Sequence, residues 1–167
     1  MTDDLDLLSA QLGAALRARR WMLTTAESCT GGGVGEAVTR TAGSSEWFDR
    51  GFITYTNDAK RELLGVHIET LDNHGAVSEP AAREMAAGAL RESNAQVAVA
   101  VTGIAGPGGG NASKPVGMVC FAWATLDGLD RVDTRLFNGD RASIRHQAIV
   151  LAMQGVIDSA AETTTAR

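Results

Sequence analysis

The chain has 167 residues, a length that suits one domain able to bury its own core without metal or disulfide staples. Its formal net charge of −5 is built from interspersed signs, which leaves no basic stripe for a nucleic acid, and no apolar run approaches the ~20 residues of a membrane span. Alanine and glycine are abundant, at 27 and 19 residues, and nine of the glycines fall in two clusters, at 31–35 and 103–110, a pattern expected where backbone comes close to a ligand.

The first element is a helix. Leu5, Leu8, Leu12, Ala15 and Leu16 recur at helical spacing, with Asp3, Asp4 and Asp6 at its start and Arg17, Arg19 and Arg20 at its end, as the helix dipole favours. Residues 21–26 (WMLTTA) read as a buried strand that runs through 27–33 (ESCTGGG) into a helix ending near Thr39. A second strand is expected at 51–55 (GFITY), followed by a short helix at 57–64. Ser78 is a good N-cap, with Glu79 and Pro80 in the first turn of a helix that extends to about Arg91. Residues 96–101 (QVAVAV) form a continuously apolar strand, which suits a sheet covered on both faces. Strands at 116–125 and 131–137 meet at Asp127-Gly128 as a hairpin, and an amphipathic helix at 141–158 follows, with the last seven residues expected to fray. Helices alternating with strands define an α/β fold: a single three-layer α/β/α domain over 1–167, with a mixed, mostly parallel sheet of about five strands and one antiparallel pair.

Chemistry concentrates at Ser28. A strand end that meets a glycine-rich helix start is where open α/β sheets bind ligands, and free N–H groups there can hold an anion or an oxyanion. Thr30, Gly31 and Gly32 are small enough to let a ligand reach that backbone; the competing reading is a turn that only packs helix on strand. Nucleotide-loop signatures fail, because Glu36 breaks the GxGxxG spacing and residues 106–114 (GPGGGNASK) lack an adjacent Gly-Lys-Ser/Thr and lead into a strand. A serine nucleophile needs a base. Lys60 is the candidate, with its pKa lowered by burial or by a nearby cation such as Arg50 or Arg61, although a lysine at a helix start is also commonly just solvated. Tyr55, the only tyrosine, reads alone as a core residue. Cys29 is the internal rival of Ser28 and is expected to be a small packed residue. Two separated cysteines without CxxC spacing, and His67, His74 and His146 without a paired motif, point to no metal and to a reducing, cytoplasmic setting; the acidic N-terminus is unlike a signal peptide.

Taken together these motifs resemble the CinA C-terminal domain family, whose stand-alone members are nicotinamide-nucleotide amidohydrolases. The resemblance spans about residues 5–157 and rests on TAESCTGG (25–32), GSSEWF (43–48), GFITYTN (51–57) with Lys60, LGV (64–66), GAVSE (75–79), GIAGPGGG (103–110), KPVG (114–117) and GDR (139–141). It implies hydrolysis of the carboxamide of nicotinamide mononucleotide in pyridine-nucleotide salvage, without a cofactor, with Ser28 as nucleophile, Lys60 as base and Tyr55 as a third catalytic member. Backbone N–H groups near Thr30, Gly31 and Gly32 would hold the oxyanion. The nucleotide's phosphate would be held among Gly103, Gly106, Gly109, Lys114, Arg141 and Arg145, with Ser44 and Ser45 as further candidates for the pocket wall. For Arg141 and Arg145 the alternative is a solvated helix face, and for the two serines a capping role. Gly33 and Gly108 depart from the family pattern, where a bulkier or polar residue is expected. The expected partner is a small nucleotide substrate, with no nucleic acid and no membrane, and the chain is expected to form a homodimer. Two readings of other classes remain at this point: a non-catalytic nucleotide sensor linked to competence or DNA damage, and a partner-binding module.

Overall fold

The structure, a computed structural model, describes residues 4–165, and the backbone alone for 163–165. Five strands form one sheet in the order β2-β1-β3-β4-β5: β1 (Leu23–Glu27), β2 (Phe48–Ile53), β3 (Val97–Gly103), β4 (Met118–Thr125) and β5 (Asp130–Leu136). β1 pairs in parallel with both β2 and β3, while β4 runs antiparallel to its neighbours β3 and β5, so four of the five strands point the same way. Every residue of β1 is buried, and so are the first six of β3, as expected for central strands covered on both faces. The edge strand β5 carries Asp130, Arg131, Asp133 and Arg135, charges that discourage edge-to-edge pairing.

The side chains of the sheet alternate by size, and that alternation sorts the helices. Leu23, Val97, Val99, Val101, Val119, Phe121 and Trp123 face α1 (Leu5–Arg19), α2 (Gly33–Val38) and α6 (Arg141–Thr165) in one core. On the other face Ala26, Ala98, Ala100 and Ala122 meet Ala82, Ala86 and Ala89 of α5 (Glu79–Arg91), with α3 (Asn57–Leu64) and α4 (Ile68–His74) beside it. Much of the alanine excess is therefore packing: small residues on both partners let α5 lie close to the sheet. Some of the glycine excess is too. A Cβ on Gly88 of α5 would come 2.0 Å from the Leu64 carbonyl oxygen, and one on Gly155 of α6 would meet the Trp123 ring at 2.1 Å.

Several boundaries differ from the sequence reading. β2 begins at Phe48 rather than at residue 51 and ends before Tyr55, because Asp49 and Arg50 are tolerated on an edge where half the backbone faces solvent. β1 starts at Leu23, since Arg20 caps α1 in the left-handed region and turns Trp21 back onto Leu16. Helix α4 was not expected; its seven residues carry little periodic signal, and its start is held from α5 by the Glu84 carboxylate, which accepts from the His67 N–H and the Thr70 hydroxyl. Helix α6 continues to Thr165, past the expected end at residue 158 and through most of the segment expected to fray. Asp3 and residues 166–167 lie outside the described residues. Among those described, no helix is long and apolar enough to cross a membrane.

Candidate active site

Ser28, Thr54 and the glycine loop that begins at Gly103 each follow the C-terminal end of a parallel strand, β1, β2 and β3, so the sheet itself brings them to one rim. The Ser28 N–H donates to the Val101 carbonyl of β3 (2.9 Å), and the Thr54 N–H donates to the Glu27 carbonyl of β1 (2.8 Å). Lys60 comes from α3, whose first turn is capped by the Thr56 hydroxyl, and its side chain turns inward until only 1% of it is exposed. Its Nζ lies 3.1 Å from Ser28 Oγ and 2.7 Å from the Thr54 carbonyl oxygen.

Burial sets the electrostatics of this pair. It pulls the Lys60 ammonium from its ordinary 10.5 down to about 8, an effect the nearby Cys29 thiol partly opposes. Arg50 is bonded to Asp49 and Arg61 lies against Asp58, so loss of hydration, and not a neighbouring cation, lowers Lys60. The same burial raises the Cys29 thiol to about 11. A thiol held that high is almost wholly protonated at neutral pH and is a poor nucleophile, in keeping with its place in the apolar core.

The cavity in front of Ser28 measures about 280 Å³. Among the described residues, Lys60 and Arg141 are the charged ones that line it, and no carboxylate does. Of the residues expected at the site, Ser28, Tyr55, Lys60, Gly103, Gly106, Gly109 and Arg141 line it, and so does Cys29, the rival of Ser28. Arg141, at the start of α6, donates to the Gly106 carbonyl (2.8 Å) and to the Tyr55 hydroxyl (2.9 Å), so it ties the glycine loop to the segment after β2. Tyr55 is 56% exposed, not a core residue, and its hydroxyl is bonded to Arg141 rather than to Ser28 or Lys60. Gly108 also lines the cavity, where a Cβ would meet nothing, whereas one on Gly33 would run into Ile149 at 2.6 Å.

Other expected residues fall elsewhere. Ser44 and Ser45 form a short 3-10 turn ahead of β2, whose first residue pairs with the first residue of β1, a strand length away from Ser28. Lys114 donates to the His74 carbonyl at the end of α4 and pins the glycine loop there. Arg145 donates to the carbonyls of Cys29 and Thr30, at 3.2 Å each, and does not line the cavity. Thr30, Gly31 and Gly32 also lie outside the lining, and the Gly31 N–H is spent on the Ser28 carbonyl (3.0 Å). The start of α2 is already occupied by an anion of the protein's own: the Glu27 carboxylate accepts from the Val34 and Gly35 N–H groups (2.8 and 3.0 Å). Gly31 and Gly32, at φ +58° and +98°, are needed to turn the chain from β1 into that helix.

Lining residues that the sequence did not single out are Asn57, Thr102, Ile104 and Ala105, together with Ala76 and Val77. Asn57 and Thr102 were within reach of a rule, since each follows or ends a parallel strand at the ligand rim. Ala76 was not, because the Thr102 hydroxyl brings it in by a tertiary hydrogen bond to its carbonyl (2.9 Å). Among the described residues no three His, Cys, Asp or Glu side chains gather as a metal site.

The fold is thus an α/β domain that sets a buried lysine against a serine at the ligand rim of its sheet. The CinA C-terminal domain model matches residues 5–160, and the chain belongs to that family. It is 55% identical over 147 residues to a nicotinamide-nucleotide amidohydrolase PncC of Enterobacter agglomerans, covering 88% of this chain and 90% of that one. It is 54% identical over 155 residues to the protein of the same name from Escherichia coli K12, covering 92% and 94%. The crystal structure of the competence/damage inducible protein CihA from Agrobacterium tumefaciens superposes with a TM-score of 0.90 at 46% identity, covering 95% of this chain and 96% of that one.

Proposed function

We propose that this protein hydrolyses the carboxamide of nicotinamide mononucleotide to nicotinate mononucleotide and ammonia, with Ser28 as nucleophile and Lys60 as its base. The observation that carries the reading is the 3.1 Å approach of a buried, low-pKa amine to Ser28 Oγ at the wall of a cavity. The names of the two relatives supply the substrate.

The chemistry follows from the contacts. In its neutral form Lys60 keeps one N–H on the Thr54 carbonyl and turns its lone pair to the Ser28 hydroxyl. Ser28 Oγ attacks the carboxamide carbon as Lys60 takes its proton. The tetrahedral oxyanion then collapses, Lys60 returns the proton to the leaving nitrogen, and ammonia departs from an acyl-serine ester. Water, deprotonated by Lys60 in its turn, cleaves that ester and restores Ser28. Because the start of α2 is filled by Glu27, the oxyanion falls to main-chain N–H groups on residues that line the cavity, with Cys29, Ala105 and Gly106 as the candidates. Arg141 and the glycine loop suit the phosphate, and Tyr55 belongs to that end through its bond to Arg141.

The test is ammonia release from nicotinamide mononucleotide by the purified chain, with EDTA present and free nicotinamide as a second substrate. Turnover of the mononucleotide that is lost in Ser28→Ala supports the reading. Turnover of free nicotinamide alone removes the phosphate site, and tight binding without ammonia favours the sensor instead.

A further inference from the structure

We propose, building on Ser28 as the nucleophile, that Glu27 and Arg145 are positioning residues that grip the turn bearing Ser28 from its two chemical sides, Glu27 by its donors and Arg145 by its carbonyls. Glu27 is 2% exposed and is the last residue of β1, opposite Ile53 of β2 and Val101 of β3. A carboxylate this buried is stable only where donors surround it. Here Oε1 accepts from the Thr30 hydroxyl (2.5 Å) and the Val34 N–H (2.8 Å), and Oε2 accepts from the Gly35 N–H (3.0 Å). One side chain thus joins the strand before the nucleophile, the turn after it and the helix beyond.

Arg145 completes the grip from α6. Its Nε donates to the Cys29 carbonyl and its Nη2 to the Thr30 carbonyl, both at 3.2 Å, a forked contact that a lysine cannot reproduce. With the Ser28 N–H on Val101 and the Ser28 carbonyl taking the Gly31 N–H, the turn is bonded at successive positions. Such a turn has little freedom to move Ser28 Oγ away from Lys60. A shift of ~1 Å at a reacting atom costs on the order of 10²-fold in rate, so groups remote from the substrate can control turnover. This role replaces the phosphate contact that the sequence suggested for Arg145, since its fork is committed to main-chain carbonyls and it does not line the cavity.

The experiment measures kcat, KM and Tm for Glu27→Gln, Arg145→Lys and the double variant, on nicotinamide mononucleotide and on its dephosphorylated nucleoside. Each single variant is expected to lose roughly 10- to 100-fold in kcat at a temperature well below its Tm, with KM within about threefold of wild type. The loss in kcat should be the same factor on both substrates, and the double variant should lose less than the product of the two, because both act through one turn. Thr30→Val, which removes only the hydroxyl that Glu27 accepts from, serves where Glu27→Gln does not fold, and it too should lose kcat without losing affinity. A lower Tm with kcat kept within twofold shows a purely structural role and overturns the proposal. So does a rise of tenfold or more in KM confined to the phosphorylated substrate in Arg145→Lys, which returns Arg145 to the phosphate. If the wild-type chain releases no ammonia, the functional reading itself fails and this proposal falls with it; wild-type turnover alongside undiminished variants overturns the proposal alone.

Discussion

Lys60 Nζ stands 3.1 Å from Ser28 Oγ although the two residues are 32 positions apart, on different elements, and the lysine reaches its place only by being buried. The Thr54 carbonyl, 2.7 Å away on the other side, holds the amine in line. This relationship makes the amine's position and its low pKa one feature: the burial that orients the amine also keeps a useful fraction of it neutral near pH 7.

Replacing Ser28 and Cys29 separately distinguishes the two neighbours. Ser28→Ala should lower kcat by on the order of 10⁴-fold or more, as loss of a nucleophile does elsewhere. Cys29→Ala should stay within about tenfold of wild type, because the thiol, raised to about 11, is protonated and packed in the core. Steady-state ammonia release decides it, and the opposite ranking assigns the nucleophile to Cys29.

The pH dependence follows from Lys60. With Lys60 as the proposed base, turnover requires the neutral amine, so kcat/KM should rise tenfold per pH unit below about 8 and level off above it. Stability carries the same signature. The folded value of about 8 lies below the ordinary 10.5, so the unfolded chain binds the extra proton between those limits. The Lys60 contribution to stability is therefore least favourable below about pH 8 and improves as pH rises toward 10. Comparing Tm at pH 7.5 and 9.5 should show that gain in wild type and its absence in Lys60→Met. An equal pH response in the two proteins contradicts the assignment.

Tyr55 and Arg141 should behave as a binding pair. Arg141→Ala is expected to raise KM for the mononucleotide by roughly 10- to 100-fold, in line with a charged hydrogen bond worth about 1.5–3 kcal/mol. Tyr55→Phe removes one hydrogen bond to Arg141, worth about 1 kcal/mol, and should raise KM only several-fold. A collapse of kcat in Tyr55→Phe with KM unchanged points instead to proton relay by the phenol.

Two glycines should respond very differently to the same added methyl. Gly88→Ala pushes a Cβ to 2.0 Å from the Leu64 carbonyl oxygen, so α5 and α3 must separate. That overpacking should destabilise by about 1–3 kcal/mol and, because α3 carries Lys60, should also reduce kcat. At Gly108 the added Cβ meets nothing and the backbone is outside the left-handed region, so Gly108→Ala should change Tm little. Thermal unfolding of both variants, with kcat measured beside it, provides the check.

Local pattern was enough for much of the fold. The leucine spacing of α1, the Ser78 cap of α5 and the unbroken apolar run of β3 each report a physical requirement satisfied within a few residues, and each stands where expected. Ser28 and Lys60 were legible only as separate candidates, a serine at a strand-to-helix turn and a lysine at a helix start that local pattern reads equally as solvated, and the family resemblance, not spacing, paired them. Helix α4 and the early start of β2 were not legible, since a seven-residue helix and a half-exposed edge strand leave almost no periodic trace.

The glycine clusters show the division most plainly. Composition and order determined that backbone comes close to something at 31–35 and 103–110. Only the tertiary structure decided what. The second cluster borders the cavity, while the first turns β1 into a helix whose start is filled by the protein's own Glu27. Which of Arg141 and Arg145 faces the cavity was likewise undecided by sequence. They lie one helical turn apart on α6, and the contacts of that helix with two different loops send one guanidinium to Tyr55 and Gly106 and the other to Cys29 and Thr30. Residue type sets what a side chain can bond to. Burial and the position of partners distant in sequence set what it does bond to, and those exist only once the chain has folded.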